Sequence, residues 1–188
     1  MLDKNLKKEI NSNKYEITDT GIYLPGAKVS IGGTFITSVN GKDVREDRNL
    51  VVNEGLNYIL NAAIAAQTVS NAWYVGVFKN NYTPITTSVG STFPGAGVAG
   101  EATTEYNEAN RPVYTISPST AQSLSNISAP ASFTFNATTS IYGAFLVSTL
   151  PKADLTGKLL CAAKFASVRN LVSTDILSVT YTLNIASA

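Results

Sequence analysis

Apolar and polar residues alternate along most of this 188-residue chain, which is the pattern of β-strands that bury one face. The clearest case is ILSVTYTLNI (176–185), where every second residue from Leu177 to Ile185 is apolar. TFITSVNGKDVRED (34–47) predicts a hairpin, because Asn40-Gly41 suits the positive φ angles of a type I′ turn. Aromatic and β-branched residues predict further strands in WYVGVFK (73–79), PVYTIS (112–117), ASFTFN (131–136), SIYGAFLVS (140–148) and GKLLCAAKFAS (157–167).

The hydrophobic period changes in one place, NLVVNEGLNYILNAAIAA (49–66). Its apolar residues have the spacing of one helix face. They are Leu56, Ile59, Leu60, Ala63 and Ile64. We therefore predict a helix over about residues 53–66 that packs this face on one open end or face of the sheets. Asn53 is the predicted N-cap, with Glu54 at the positive end of the helix dipole.

About eight strands with one helix, and no alternation of strands with helices, predict an all-β antiparallel β-sandwich or jelly roll. A single domain is favoured at this length. The first thirty residues are polar, charged and only weakly periodic. We therefore assign residues 1–30 to an extended N-terminal arm and residues 31–188 to one sandwich domain.

One long segment, residues 80–111, fits no strand, because it is rich in glycine and contains two prolines. It is far longer than the usual connection of about 4–6 residues. A segment of this kind is functional, disordered or ordered by a partner, and the sequence leaves these alternatives open.

Charge is distributed unevenly along the chain. Residues 1–48 carry 15 of the 27 charged side chains, which leaves 12 for the 140 residues that follow. Globular domains are about 25% charged, so the surface of residues 49–188 is predicted to be nearly neutral. Two interpretations stay open: a domain solvated by hydroxyls and amides, or a surface that packs against other subunits, since interface cores are depleted of charge.

The overall charge and the N-terminus indicate where the chain works. A net charge of +1 provides no basic field to gather nucleic acid or an anionic membrane. The start, MLDKNLKKEINSN, lacks the apolar core of an export signal, and no apolar run reaches the roughly 20 residues that span a bilayer. Cys161 is the only cysteine, so no internal disulfide forms. We expect a soluble chain made in the cytoplasm, with no nucleic-acid or membrane partner.

Candidate catalytic residues are few. The chain has no histidine, which excludes a Ser/His/Asp triad, a Cys/His pair and an imidazole zinc site. Cys161 lies in an apolar run and is predicted to be a small buried hydrophobe rather than a nucleophile. No phosphate-binding or dinucleotide-binding fingerprint is present.

An acidic cluster, Glu101, Glu105 and Glu108, precedes Arg111. Two carboxylates suffice for glycosidase chemistry, and carboxylates also bind calcium, so a glycosidase site and a calcium site are both possible interpretations of the cluster. The favoured interpretation is that the cluster pairs locally with Arg111 and fixes the end of the long segment. The sequence therefore predicts no catalytic, cofactor-binding or metal-binding residue, and a protein that is not an enzyme.

Several motifs, taken in order, resemble a known family. They are NLVVNEGLNYIL, WYVGVF, EATTEYNEANRPVY, FTFNATTSIYGAFLVS, GKLLCAAKF and LSVTYTLNI. This chain resembles the head decoration, cement or auxiliary capsid proteins of tailed bacteriophages, which are sometimes labelled tail-fibre-like. The resemblance covers about residues 31–188 and is most specific in NLVVNEGLN, WYVG and YNEANRP. It implies a β-sandwich or jelly-roll protein that binds the outside of an icosahedral shell, often as a homo-oligomer.

The expected function is therefore that of a virion structural protein, a capsid decoration or cement protein that reinforces contacts between major capsid proteins. Its expected partners are the major capsid protein and further copies of itself, as a dimer or trimer. The expected location is the capsid surface of the virion, after synthesis in the host cytoplasm. We expect the arm and the 80–111 segment to hold the shell, with the sandwich as a spacer.

Two alternatives remain. A head-fibre or tail-fibre adhesin would bind host glycans, because Trp73, Tyr74 and Tyr82 lie near a loop and exposed aromatic rings stack on sugars. Trp73 opens a strand, however, which is more typical of a core position. A hydrolase is the third class, and the sequence places no acid/base pair for it.

Overall fold

The computed structural model describes residues 16–18, 21–23, 29–65, 67–119 and 121–187. The chain separates into two compact units, residues 1–30 with 185–188, and residues 31–184. In the first unit, β1 (Glu16–Thr18) pairs with β2 (Gly21–Tyr23) in a two-stranded antiparallel sheet. The rest of the predicted N-terminal arm lies outside the described residues, apart from residues 29–30, which begin the next strand.

The second unit is an antiparallel β-sandwich with one short helix among the described residues, which confirms the predicted fold class. Its elements are β3 (Val29–Val39), β4 (Lys42–Arg48), β5 (Leu50–Val51), α1 (Asn53–Ala63), β6 (Tyr74–Phe78), β7 (Ser123–Ser125), β8 (Ala131–Thr134), β9 (Thr139–Val147), β10 (Leu159–Leu171) and β11 (Ile176–Ser187). Sheet 1 has the strand order β5-β10-β9-β6. Sheet 2 has the order β4-β3-β11-β7, and β8 also pairs with β11.

The hairpin predicted at Asn40-Gly41 is confirmed. β3 and β4 are antiparallel, and φ is 52° at Asn40 and 71° at Gly41, as a type I′ turn requires. The Asn40 side chain also binds the turn between β10 and β11. It donates to Asp175 Oδ1 at 2.7 Å and accepts from the Ile176 N–H at 2.9 Å. The turn residue therefore joins the β3–β4 hairpin to the turn by which the chain passes from sheet 1 to sheet 2.

Side chains from both sheets meet in one apolar core. Sheet 2 contributes Phe35 and Tyr181, whose ring centroids lie 4.5 Å apart, and sheet 1 contributes the buried Leu146 and Cys161. The apolar face predicted for β11 is confirmed from residue 177 to residue 183, where every second side chain is buried, but Thr180 on the opposite face is buried as well. The inner faces of both sheets are thus apolar, as in other sandwiches.

Sheet 1 is buried on its outer face as well. Phe78 and Phe145 project from that face, and Phe93, from the long 80–111 segment, packs on both with ring centroids 5.6 and 5.5 Å away. All three side chains are fully buried. A strand buried on both faces has a continuous apolar run instead of alternation. This is why WYVGVF and IYGAFLV alternate poorly.

Two glycines make room for these rings. Gly76 lies opposite Phe145, and Phe78 lies opposite Gly143, across the β6–β9 ladder. The space that a Cβ at Gly76 would take is filled by the Phe145 ring, and at Gly143 by the Phe78 ring and a carbonyl. Each ring therefore lies over a glycine, which lets the long segment approach the sheet closely.

The long segment contains no strand, as predicted, and its own domain holds it in place. Isolated bridges join Glu101 to Phe78 and Tyr106 to Phe135. Ala99 is fully buried, and the Ala102 N–H donates to a carbonyl of β6 at 2.9 Å. Contacts with the rest of the domain therefore hold this segment against β6 and β8.

The prediction of a strand over residues 112–117 is wrong. Only Val113 forms a bridge, with Tyr74. Pro112 has no N–H to donate, and Tyr114 turns its side chain into the sandwich. The Tyr114 hydroxyl lies 3.0 Å from the carbonyl of Leu124 and 3.1 Å from that of Tyr181, in sheet 2. The main chain here stays beside β6, where the Tyr114 N–H donates to the Trp73 carbonyl at 2.7 Å, and the Tyr114 side chain reaches sheet 2. The short strands β5 and β7 were missed because two or three residues show no period.

Helix α1 ends at Ala63, before the predicted end at residue 66, which lies outside the described residues. The prediction of Asn53 as N-cap is wrong, because Val52 occupies that position and makes no side-chain cap bond. The Val52 N–H continues the pairing of β5 by donating to the Leu160 carbonyl at 3.2 Å. The chain therefore passes directly from strand into helix.

The face by which α1 packs is centred on Gly55. This glycine is buried against the main chain of Leu160, in β10, where a Cβ would overlap the carbonyl group. Leu56 and Ile59 are partly buried and pack on the apolar core. The helix therefore covers the sandwich beside β5 and β10, which agrees with its predicted role as a cover.

The rest of the predicted apolar face points away from the core. Leu60 is 60% exposed and Ile64 is 82% exposed, and Ala63 is exposed too. The prediction that these three residues pack is wrong. Because Gly55 has no side chain, the helix comes closest to β10 at that residue, and this sets which face is buried.

Candidate functional site

The predicted acidic cluster contains one buried ion pair. Both carboxylate oxygens of Glu101 accept from Arg111, from Nε and Nη2, each at 2.7 Å. The two side chains are essentially inaccessible to solvent. The Ala153 N–H donates to Glu101 Oε2 at 2.9 Å, so a third group satisfies this carboxylate. Such a bidentate pair fixes the orientation of both side chains, and the Glu101 carboxylate is fully engaged in hydrogen bonds instead of being available as an acid or base.

Arg111 binds three further acceptors in the 149–154 turn. Its Nη1 donates to the carbonyl and to Oγ1 of Thr149, both at 2.9 Å, and its Nη2 lies 3.2 Å from the Asp154 carbonyl. The guanidinium also lies 5.7 Å from the centroid of the Phe145 ring. The prediction that the acidic cluster pairs with Arg111 and fixes the end of the long segment is correct for Glu101.

Glu105 binds Lys79 instead of Arg111. Its Oε2 accepts from the main-chain N–H groups of Thr103 and Thr104, at 2.9 and 3.1 Å. Burial raises the pKa of the Glu105 carboxyl, but the hydrogen bonds from Lys79 and the main chain outweigh it and hold the pKa below its ordinary value. This carboxylate therefore stays ionised and joins the segment to the end of β6.

Glu108 has a third set of partners. Both of its oxygens accept from the Thr134 N–H, at 3.0 and 3.1 Å, in strand β8. The prediction that the three glutamates act together with Arg111 is therefore wrong for Glu105 and Glu108. Each carboxylate joins a different part of the domain to the long segment, which is a structural arrangement.

Cys161 is buried in the core, as predicted for a small hydrophobe. Burial raises the pKa of its thiol to about 12, although hydrogen bonds with Tyr181 and Asn49 lower it in part. A thiol with this pKa is almost fully protonated at neutral pH and is a poor nucleophile.

The three aromatic residues considered for glycan stacking are half-buried. Trp73 packs on the core and meets the Tyr58 ring edge-on, with centroids 4.9 Å apart. Tyr82 meets the Phe93 ring at 5.8 Å. Trp73 thus occupies the core position that its place at the start of a strand indicated, and Tyr82 supports the outer layer.

Two apolar side chains at the C-terminal end of α1, which the periodicity assigned to the packed face, form an exposed surface. We call Leu60 and Ile64, one turn apart, the helix patch. Both are among the most exposed large apolar residues of the domain. The signal in the sequence for the packed face is Gly55, because a residue without a side chain lets a helix approach a neighbouring strand most closely.

Charged side chains after residue 48 are almost all bound within the domain. Eleven of the 12 bind another described group, namely Glu54, Lys79, Glu101, Glu105, Glu108, Arg111, Lys152, Asp154, Lys158, Arg169 and Asp175. The Lys152 ammonium, for example, donates to the Thr103 carbonyl at 2.8 Å and lies 3.6 Å from the Tyr106 ring centroid. The surface of residues 49–188 therefore carries few charged groups that lack a partner within the domain.

Within the described ranges, no group of three or more His, Cys, Asp or Glu side chains is arranged to hold a metal ion. No helix in that part of the chain is long and apolar enough to cross a bilayer. Comparison with known proteins finds no matching family model and no matching curated protein. The bacteriophage resemblance therefore stays a prediction that rests on the motifs alone.

Proposed function

We propose that this protein is a virion structural protein that binds the outer surface of a tailed-bacteriophage capsid and reinforces contacts between major capsid proteins. The observation that carries the proposal is the helix patch, two exposed apolar side chains in residues 49–188, where eleven of the 12 charged side chains are bound within the domain. The motif resemblance supplies the type of partner. On this proposal the protein resides on the capsid surface, after synthesis in the host cytoplasm.

The distribution of charge favours binding to a protein surface. Burying an unpaired charge costs several kcal/mol, so a charged surface resists being covered by a partner. Here the charges of residues 49–188 are already paired or hydrogen-bonded, as Glu101 and Arg111 illustrate. Neutral Ser, Thr and Asn side chains then cover much of the surface, and a partner removes water from them at low cost.

The layered body suits a reinforcing role. Sheet 1 is buried on both faces, by sheet 2 on one side and by the 80–111 segment on the other. Such packing gives a stiff body, and a stiff body loses little entropy when it is bound. Weak contacts repeated by several copies on a symmetric shell gain from effective concentration. We therefore propose that copies also bind one another, as a dimer or trimer.

Cosedimentation with capsids that lack this protein tests the proposal. The unmodified chain should pellet with the capsids, and a double variant of the helix patch, Leu60→Gln with Ile64→Gln, should bind at least about tenfold more weakly. The matched control is Val44→Gln on β4, which is 67% exposed and lies outside the patch. Capsid binding is contradicted if the unmodified chain stays in the supernatant, and the role of the patch is contradicted if both variants bind equally.

A further inference from the structure

An open groove lies between α1 and residues 87–89 of the long segment. Its volume is about 520 Å³, which is within the range of about 300–1,000 Å³ for sites that hold small molecules. Five of its lining side chains matter most here. They are Asn53, Asn57, Tyr58, Asn61 and Gln67. The groove is separate from the acidic cluster and from the helix patch.

Side-chain amides dominate the groove. Asn53, Asn57 and Asn61 follow one another at intervals of four residues, so they form a row along one side of α1. Gln67 adds a fourth amide just beyond the helix. The described residues offer no hydrogen-bond partner to any of these four side chains. Each amide has two donor hydrogens and an acceptor oxygen available to a ligand.

The wall opposite the helix is fixed by Glu54. Its Oε2 accepts from the main-chain N–H of Gly90 at 2.7 Å and from that of Leu159 at 2.8 Å. The Asn53 N–H also donates to the Thr86 carbonyl at 2.8 Å. These bonds hold the helix start, the long segment and β10 together. The groove is therefore preformed and would bind a ligand without a large change of shape.

The groove is electrically balanced. Lys158 and Glu54 are its two charged lining residues, and Lys158 Nζ lies 3.3 Å from Glu54 Oε1. An anion would meet the Glu54 carboxylate, and a cation would meet the Lys158 ammonium. This balance favours an uncharged ligand that carries many hydrogen-bonding groups.

An aromatic ring completes the lining. The Tyr58 hydroxyl accepts from the Ser70 N–H, and the ring meets Trp73 edge-on. Both contacts hold the ring in one position at the groove. A fixed ring offers an apolar surface to C–H groups, while the amides beside it offer hydrogen bonds.

We infer that this groove binds a neutral saccharide. Sugar rings present neighbouring hydroxyls that both donate and accept, which matches a row of side-chain amides, and C–H faces that match a fixed tyrosine. The inference does not rest on capsid binding, because it concerns different side chains. It also differs from the stacking site expected at Trp73, Tyr74 and Tyr82, since the amides carry it.

Titration of the isotope-labelled full chain with defined oligosaccharides, followed by NMR, tests this inference. The neutral probes are maltotriose, lactose and tri-N-acetylchitotriose, and the charged probes are 3′-sialyllactose and a heparin disaccharide. At least one neutral probe should shift the side-chain amide signals of Asn57 and Asn61, and the charged probes should bind more weakly. The inference is overturned if no neutral probe shifts these signals, or if only charged probes do.

A double variant, Asn57→Ala with Asn61→Ala, separates the groove from other surfaces. Binding of the responding neutral probe should fall at least about tenfold, because two hydrogen-bonding side chains are lost. Folding should survive, since alanine favours an exposed helix position more than asparagine does. The matched control is Asn184→Ala, an exposed asparagine on β11. Equal probe binding by the double variant and the control would overturn the assignment.

Discussion

Gly55 in α1 lies directly against the main-chain carbonyl of Leu160 in β10, with no space for a side chain between them. This contact sets the position of the helix on the sandwich. Gly55→Ala should therefore lower the free energy of unfolding by about 3 kcal/mol, at the upper end of the cost of overpacking. Urea denaturation measures the loss. Gly97→Ala is the matched control, since a Cβ there meets nothing within 4 Å, and equal stability of the two variants would contradict the contact.

The orientation of the helix makes a second prediction. Ile59 packs on the core and Leu60 is exposed, so the same charge has opposite consequences at adjacent positions. Ile59→Asp should destabilise the domain by several kcal/mol, because it places an unpaired carboxylate against apolar side chains. Leu60→Asp should change the free energy of unfolding by less than about 0.5 kcal/mol. Thermal melts followed by circular dichroism compare the stability of the two variants. A larger loss for Leu60→Asp than for Ile59→Asp would show that the buried face of α1 is misassigned.

The buried pair of Glu101 and Arg111 should be costly to break. Glu101→Gln leaves the guanidinium buried without its charge partner, and we expect a loss of about 3–5 kcal/mol in the free energy of unfolding. The exposed pair of Arg45 and Asp43 is the control, and Arg45→Ala should cost less than about 1 kcal/mol. Chemical denaturation of both variants measures the two losses in the free energy of unfolding. A small effect of Glu101→Gln would mean that water reaches the pair.

Acid should weaken the contact between Glu105 and Lys79. The pKa of Glu105 is held below its ordinary value of 4.5, so its contribution to stability is complete above pH 4.5 and is lost as the pH falls through the lowered pKa. The free energy of unfolding should therefore decline in acid more steeply for the unmodified chain than for Glu105→Gln. Denaturation curves at a series of pH values between neutral and acid measure the slopes. Identical slopes would show that the pKa of Glu105 is not lowered in the folded protein.

The sequence predicted the strands in which apolar and polar residues alternate, and the turn that requires positive φ angles. β11 alternates because one of its faces meets the core, and Asn40-Gly41 is one of the few dipeptides suited to its turn. β6 and β9 could be identified as strands, but not their burial on both faces. That burial depends on Phe93, which comes from a distant segment without periodicity.

Side-chain spacing also could not fix the rotation of α1. The apolar residues of the helix suggested one face, while contact through Gly55 selects another, and Gly55 contributes nothing to an apolar pattern. The acidic cluster shows a similar limit. Spacing placed three glutamates near Arg111. The partners of two of them, Lys79 for Glu105 and Thr134 for Glu108, come from other parts of the chain. Partners distant in sequence leave no local signal.

Capsid binding is tested most directly by two cryo-electron microscopy reconstructions of capsids, from the encoding phage with this gene intact and with it deleted. We predict additional density on the outer capsid surface of the intact phage, repeated with the shell symmetry and accommodating the sandwich, with α1 turned towards the major capsid protein. Identical maps of the two capsids, with no density that accommodates this domain, would contradict the proposed function.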